Sequence, residues 1–96
     1  MSRFVLSNKA KNDLSEIAKY TYKTWGRQQL GSYIRGMHEV FEGIAGGTLK
    51  GQIYDLKKGY KKYYIGKHII FFRQLSPDTI QIVRILHQSM DVGSHI

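Results

Sequence analysis

The spacing of apolar residues changes about halfway along this chain of 96 residues. Between Ala10 and Trp25, and again between Leu30 and Ala45, apolar side chains recur at steps of three and four residues, which is typical of amphipathic helices. Residues 60–65, 68–75 and 80–86 are instead rich in β-branched and aromatic side chains, which favour strands. The chain therefore has to bury a helical layer against a sheet.

Residues at the ends of these segments support the same division. Ser7 can cap the first helix through its hydroxyl. Gly26 can end that helix because glycine tolerates a positive φ, and Gly46 with Gly47 ends the second one. Two helices with so short a break between them predict an antiparallel helical hairpin. Gly66, the first residue of a two-residue break between strands, predicts a type II′ hairpin turn.

These elements predict a two-layer α+β fold in a single domain, residues 1–96. Residues 3–6 form an N-terminal strand, and the α-helical hairpin packs on a mainly antiparallel sheet of three to four strands. A strand at 52–56 is the weakest of the set. The last two strands carry nearly continuous apolar runs, so we expect them at the centre of the sheet. Residues 87–96 form a C-terminal tail.

The composition excludes several classes of protein and site. The chain has no Cys, which rules out a disulfide scaffold, a Cys-ligated metal site and a thiol nucleophile. No apolar run approaches the roughly 18 residues of a membrane span, and no signal peptide is recognisable, so we expect a cytoplasmic protein. His38, His68, His87 and His95 form no metal-binding motif, and no phosphate loop is present. We therefore expect no metal and no cofactor.

The charge is strongly positive and unevenly spread. Fifteen Lys and Arg against seven Asp and Glu give a net charge of +8. Residues 57–64 contain four Lys and three Tyr. This mixture can hold phosphates and stack bases, or accept an acidic peptide that bears aromatic side chains. It can also be a solvated edge strand that its lysines protect from aggregation.

Two arginines lie inside otherwise apolar predicted strands. A buried cation is costly unless it is paired, so Arg73 and Arg84 should reach a sheet face or a pocket lined with acceptors. Together with His87 at one sheet face they could cleave RNA, the cations stabilising a phosphorane while His87 moves the proton. The structural alternative is that the tail holds Arg84, for instance through Asp91.

An ordered set of short motifs runs along nearly the whole chain, from about residue 6 to residue 91. They are Leu6-Ser7, Ala10, Asp13-Leu14, Ile17, Tyr20-Thr21 and Trp25-Gly26; Tyr33 and Phe41 to Ala45; Gly59 to Lys62 and Gly66 to Arg73; and Val83 to Asp91. Taken in this order, the chain resembles the ParE toxins of the ParE/RelE superfamily. There are departures: ParE toxins commonly have Pro in the loop that is 45–51 here, Arg where Lys61 and Lys62 stand, and Tyr where Phe72 stands.

The resemblance implies the toxin of a type II toxin–antitoxin system. Such toxins are not enzymes; they inhibit DNA gyrase, with the A subunit as the expected contact, by trapping the cleaved gyrase–DNA complex and so blocking replication. A cognate antitoxin, an acidic DNA-binding protein, neutralises them. The resemblance thus implies contact with nucleic acid only indirectly, through gyrase, and the part of the tail near residues 87–91 is implicated in the inhibition.

The resemblance also implies two sets of candidate residues and no catalytic residue. Candidates for the contact with gyrase or its DNA are Lys57, Lys58, Tyr60, Lys61, Lys62, Arg73, Arg84, His87, Met90 and Asp91. Candidates for antitoxin binding beside the helical hairpin are Leu14, Ile17, Tyr20, Trp25, Tyr33 and Met37.

The main alternative is a ribosome-dependent mRNA endoribonuclease of the RelE kind. Those nucleases tend to carry Tyr or a His-Tyr pair at the end of the last strand. Here His87 is followed by Gln88, and no Tyr occurs after Tyr64. The missing phenol argues against the nuclease. A plain nucleic-acid-binding domain is a third, weaker interpretation.

Overall fold

The computed structural model describes residues 3–96, so the first two residues of the predicted domain lie outside the described residues. In chain order the elements are β1 (Arg3–Leu6), α1 (Asn8–Trp25), α2 (Arg27–Gly46), β2 (Gln52–Ile53), β3 (Tyr60–Ile65), β4 (His68–Ser76), β5 (Thr79–His87) and α3 (Val92–His95). The predicted α+β fold, with a helical hairpin on a sheet, is confirmed. His87 ends β5, so the tail begins at residue 88. Within residues 3–96 no helix has the length and apolar character that crossing a membrane requires.

The sheet is mixed and has five strands, in the order β1-β5-β4-β3-β2. β4 and β5 lie inside the sheet, as expected from their apolar runs. The predicted three to four strands were too few, because β1 pairs in parallel with β5 and the two-residue β2 pairs with β3. The other pairings are antiparallel, so the sheet is mainly antiparallel as predicted.

Helix and turn boundaries follow the local signals. The Ser7 hydroxyl accepts a hydrogen bond from the Ala10 amide at 3.0 Å and caps α1. Gly26 ends α1 with φ 89°, and Gly47 follows α2 with φ 83°. Gly66 in the β3–β4 turn has φ 56° and is followed by a residue with negative φ, which fits the predicted type II′ turn.

The helices cover one face of the sheet, which we call the helix face. Its core holds side chains from both helices and the two central strands. They are Ala10, Ile17, Met37, Phe41, Ile44, Ile70, Phe72, Ile80, Ile82 and Ile85. Burial of this apolar area is the main favourable term in holding the layers together.

The opposite face of the sheet, which we call the second face, has a smaller apolar cluster of its own. Tyr54, Ile69, Phe71 and Leu86 are buried there. Val92 and Ile96 of the tail, together with Tyr60, pack against this cluster. The tail, which shows no periodicity in sequence, is therefore a partial cover for the second face.

An irregularity in the β4–β5 ladder decides which side chains of β5 lie on which face. Phe71 pairs with Arg84, but the next residue of β4, Phe72, pairs with Ile82, so Val83 is an extra residue. Because of this bulge Arg84 and Leu86 lie on the second face, while Ile82 and Ile85 both lie on the helix face.

Candidate functional site

The stretch rich in Lys and Tyr is divided between the two faces of the sheet. Side chains alternate along a strand, and Lys62 pairs with Phe71, a residue of the second-face cluster. Tyr60, Lys62 and Tyr64 therefore lie on the second face. Lys61 pairs with Phe72 and lies on the helix face. The predicted stretch is thus not one continuous surface.

Cations on the second face lie over tyrosine rings. Lys57 Nζ is 4.9 Å from the ring centre of Tyr60, and the Arg73 guanidinium carbon is 6.0 Å from the same centre. Lys62 Nζ is 5.6 Å from the ring centre of Tyr64 and 6.0 Å from that of Tyr54. Such contacts are weakly attractive and hold the long side chains across the face.

Arg73 lies in the middle of this face. Its Nε donates to Gln81 Oε1 at 2.9 Å, and its neighbour across the other ladder is Tyr60. The arginine is half-buried. The prediction that Arg73 reaches a sheet face and an acceptor is therefore confirmed.

Arg84 is held by α1 as well as by the tail. Its Nε and Nη2 donate to the two carboxylate oxygens of Asp13 at 2.7 and 2.9 Å, and its Nη1 donates to the His95 carbonyl oxygen at 3.0 Å. Asp13 also accepts a hydrogen bond from the Ile85 amide at 3.0 Å. The hydrogen bond with Asp13 raises the pKa of Arg84 above its usual value.

The suggested pairing of Arg84 with Asp91 is wrong, although the contact with the tail is present. The partner is Asp13, because β1 ends at Leu6 and the beginning of α1 then runs along the free edge of β5. An aspartate among lysines on a helix gave no sign of this role. The sequence feature that could have indicated this partner is Arg84 itself. A cation in an apolar strand requires an acceptor on a neighbouring element.

His87 lies on the other side of the sheet from the two arginines. It pairs with His68, and their rings are 5.4 Å apart edge to face. The Tyr33 hydroxyl of α2 and His68 Nδ1 share a hydrogen bond of 2.6 Å. His87 Nδ1 accepts from the Ser89 amide at 3.1 Å. The hypothesis of a single face combining His87 with the arginines is therefore wrong, because strand alternation separates them.

We expect the stability of the fold to fall as the pH falls through the ordinary histidine range. Burial, and then repulsion from His87, lowers the pKa of His68 below 6.5. The unfolded chain then binds more protons than the folded one near and below pH 6.5, so the free energy of unfolding decreases with acidification there.

Urea denaturation at about pH 7.5 and pH 5.5 checks this expectation. Between the two pH values, the free energy of unfolding should decrease less in the variant His68→Asn than in the unaltered protein. His95→Asn, at an exposed position, is the control and should behave like the unaltered protein. Equal losses in all three proteins would contradict the assignment to His68.

Two of the residues expected to bind an antitoxin are core residues. Met37 is 1% exposed and Ile17 is 9% exposed, both in the helix-face core. Leu14 also packs against that core, and half-buried Tyr33 is bonded to His68. Amphipathic spacing identifies the side chains that a helix buries. In this protein the sheet of the same chain buries them, so they are not available to an antitoxin.

The exposed aromatic residues of α1 form a different set. Trp25 is 68% exposed and Tyr20 is 67% exposed, so both are available to a partner. Trp25 was expected on the apolar stripe, but it lies at the last position of α1, beyond the sheet contact. Tyr22 is also exposed and was missed. An aromatic residue that falls off the apolar stripe is the signal that could have found it.

The tail is anchored at both ends. The Gln88 amide donates to the Lys67 carbonyl at 2.9 Å, and Lys57 Nζ donates to the Ile96 carbonyl at 3.2 Å. Between these anchors Met90 and Asp91 are exposed. They are the tail candidates that a partner can reach without unfolding. Lys58 is likewise exposed.

Residues 3–96 contain no group of three or more His, Asp or Glu that could hold a metal ion. The second face presents cations and rings at fixed spacing. Such a face can bind anions and stack planar groups.

Comparisons with known proteins identify the family. Residues 4–92 match the family model described as "ParE toxin of type II toxin-antitoxin system, parDE". The chain is 36% identical over 96 residues to Toxin ParE1 of Mycobacterium tuberculosis, covering 99% of this chain and 98% of that protein. It is 35% identical over 97 residues to Toxin ParE1 of Caulobacter vibrioides, covering 100% of this chain and 99% of that protein.

A solved structure shares the fold. A chain of the chromosomal ParDE toxin–antitoxin system from P. aeruginosa superposes with a TM-score of 0.75 at 19% identity, covering 91% of this chain and 96% of that chain. The helical hairpin on a mainly antiparallel sheet is thus an architecture already seen in a ParDE system. With the family match extending over almost every element from β1 to α3, the chain belongs to the ParE toxins of type II toxin–antitoxin systems.

Proposed function

We propose that this protein inhibits DNA gyrase by trapping the cleaved gyrase–DNA complex, and that it does so by binding, without catalysis. The observation that carries the proposal is the family match over residues 4–92, with relatives named Toxin ParE1 at 35 and 36% identity over their full length. The protein would act in the cytoplasm, where replication takes place.

The geometry around His87 favours a gyrase inhibitor over an mRNA nuclease. A nuclease needs a proton-transfer group within reach of the cations that stabilise the phosphorane. His87 faces α2, on the opposite side of the sheet from Arg73 and Arg84, and its Nδ1 is engaged by Ser89. These observations support a role in binding.

We also propose that an acidic antitoxin neutralises the protein and docks against α1. The net charge of +8 suits an acidic partner. Tyr20, Tyr22 and Trp25 are exposed on α1, and large aromatic side chains are the anchors that protein interfaces favour. We therefore place the antitoxin contact on these exposed residues and not on Ile17 and Met37, which were expected from the sequence but are buried.

The test is a supercoiling and cleavage assay with purified gyrase, ATP and plasmid, run beside ribosome-dependent mRNA cleavage. We expect linear DNA to accumulate and the mRNA to remain intact. Met90→Ser should raise the concentration of protein needed for half-maximal cleavage about tenfold, equivalent to about 1.4 kcal/mol of binding, because Met90 is the exposed apolar residue of the tail.

Leu75→Ser is the matched control, since Leu75 is 49% exposed and Met90 is 46% exposed. The control should leave the required concentration within about twofold. Cut mRNA with normal supercoiling would replace the gyrase proposal with the nuclease. Equal effects of the two substitutions would remove the tail from the contact.

A further inference from the structure

Much of the positive charge of the chain lies in one segment, residues 50–67, which includes β2 and β3. Residues 50–67 contain six lysines and one aspartate, a net charge of +5 out of +8 for the whole chain. The ion pairs found within residues 3–96 are Lys19 with Glu16, His38 with Glu42, and Arg84 with Asp13. None of them takes a lysine from residues 50–67. Folding therefore leaves this charge unneutralised.

On the second face two of these lysines, together with Arg73, lie beside tyrosine rings. Lys62 lies between Tyr54 and Tyr64, and Tyr60 has Lys57 and Arg73 over its ring. Tyr64 is 47% exposed, so part of its ring is accessible to a planar ligand. Neighbouring cations and open rings are the elements with which proteins bind unpaired nucleotides, phosphates on the cations and bases on the rings.

The tail already presents acceptors to two cations of this face. Lys57 Nζ donates to the Ile96 carbonyl at 3.2 Å, and Arg84 Nη1 donates to the His95 carbonyl at 3.0 Å. Lys57 and Arg84 are thus engaged by the tail, and the cations of this face that the tail does not engage are Lys62 and Arg73. A phosphate oxygen is a stronger acceptor than a carbonyl for such donors because it is charged itself, so that both partners of the bond are ionised.

From these observations we infer that the second face binds a single-stranded segment of nucleic acid directly. This goes beyond the proposed action on gyrase, which brings nucleic acid to the protein only through the enzyme. The segment lies across β3 and β4, with its phosphates near Lys62 and Arg73 and a base on Tyr64.

An acidic protein suits the second face less well. Protein interfaces place apolar anchors at their centre and are depleted of Lys. The apolar side chains of this face, among them Phe71 and Leu86, are already covered by Val92 and Ile96. What stays accessible is cations and tyrosines, which favour nucleic acid.

The test is fluorescence anisotropy of the full-length protein with a short labelled oligothymidine, at salt concentrations from about 50 to 200 mM and without gyrase. With about three phosphates neutralised, we expect the logarithm of the affinity to fall against the logarithm of salt with a slope near −2. The corresponding duplex should bind more weakly, because its bases cannot stack on Tyr64. A slope near zero would overturn the inference.

Two variants and a matched control locate the contact. Lys62→Gln should make the slope less negative by about 0.7, because one phosphate contact is lost. Tyr64→Leu should weaken binding about tenfold and leave the slope unchanged. Lys19→Gln, an equal loss of charge on the exposed side of α1, should leave the slope unchanged. Thermal melting of each variant checks that it is folded.

Two further results would overturn the inference. One is equal loss of slope in Lys62→Gln and Lys19→Gln, which would mean diffuse attraction by the net charge. The other is displacement of the oligonucleotide by polyglutamate as effectively as by unlabelled oligonucleotide, which would assign the face to an acidic protein. Since gyrase is absent, neither result bears on the proposed inhibition of gyrase.

Discussion

Replacing Asp13 with alanine is expected to lower the free energy of unfolding by about 3 kcal/mol, because it leaves a nearly buried guanidinium without its partner. Asp13 and Arg84 are 11 and 15% exposed and share two hydrogen bonds. The same carboxylate accepts from the Ile85 amide on the edge of β5. The substitution therefore removes the acceptor that the Arg84 guanidinium and the Ile85 amide share, and leaves these donors without a hydrogen bond to it.

Urea denaturation measures this loss, and two variants separate its causes. Asp13→Asn keeps an acceptor for the Ile85 amide but loses the charge, so an intermediate loss is expected. Glu16→Ala is the control on the same helix. Its ion pair with Lys19 is largely exposed, so it should change the free energy of unfolding by less than about 0.5 kcal/mol. A loss below about 1 kcal/mol for Asp13→Ala would show that the ion pair does not hold α1 to β5.

Replacing Phe71 with alanine is expected to lower the free energy of unfolding by about 3 to 5 kcal/mol. Phe71 is 1% exposed and lies at the centre of the second-face cluster. Its ring is 5.1 Å from that of Tyr54, in an edge-to-face arrangement. Removing the ring leaves a cavity beneath Val92 and Ile96 of the tail. The tail can fill it only in part, because the hydrogen bond from the Gln88 amide to the Lys67 carbonyl holds the beginning of the tail in place.

Leu75→Ala on the same strand is the control for this substitution. Leu75 is exposed, so its truncation should cost less than about 0.5 kcal/mol. Proteolysis of the tail in the two variants gives a second measurement. It should be faster in Phe71→Ala, which weakens the surface beneath the tail, and unchanged in Leu75→Ala. A small loss of stability in Phe71→Ala would mean that the second face contributes little to the fold.

Features encoded in adjacent residues could be predicted from the sequence. The Ser7 cap, the glycines that end the two helices and the turn at Gly66 each depend on a few neighbouring residues. The runs of β4 and β5 are apolar on both faces, which placed them at the centre of the sheet. These local signals were sufficient for the fold class.

Features that depend on distant partners could not be predicted in the same way. The parallel pairing of β1 with β5 joins segments about 76 residues apart, and nothing in residues 3–6 specifies it. The bulge at Val83 sets the faces of Arg84 and Leu86, and a count of alternating residues misses it. For the candidate site, residue type alone identified the cations and tyrosines. That His87 lies on the opposite face from the arginines could be known only from the register of β4 and β5.

The parallel pairing of β1 with β5 also affects how the protein is synthesised. β1 finds its hydrogen-bonding partners in residues 79–82, and Ser7 bonds to the carbonyl of Val83. A nascent chain therefore cannot complete its sheet while β5 is still inside the ribosome, and β1 has to wait for its partner strand. Synthesis and folding are thereby separated in time. A truncated translation product that stops before β5 would lack the strand on which β1 depends and would offer proteases an incomplete sheet.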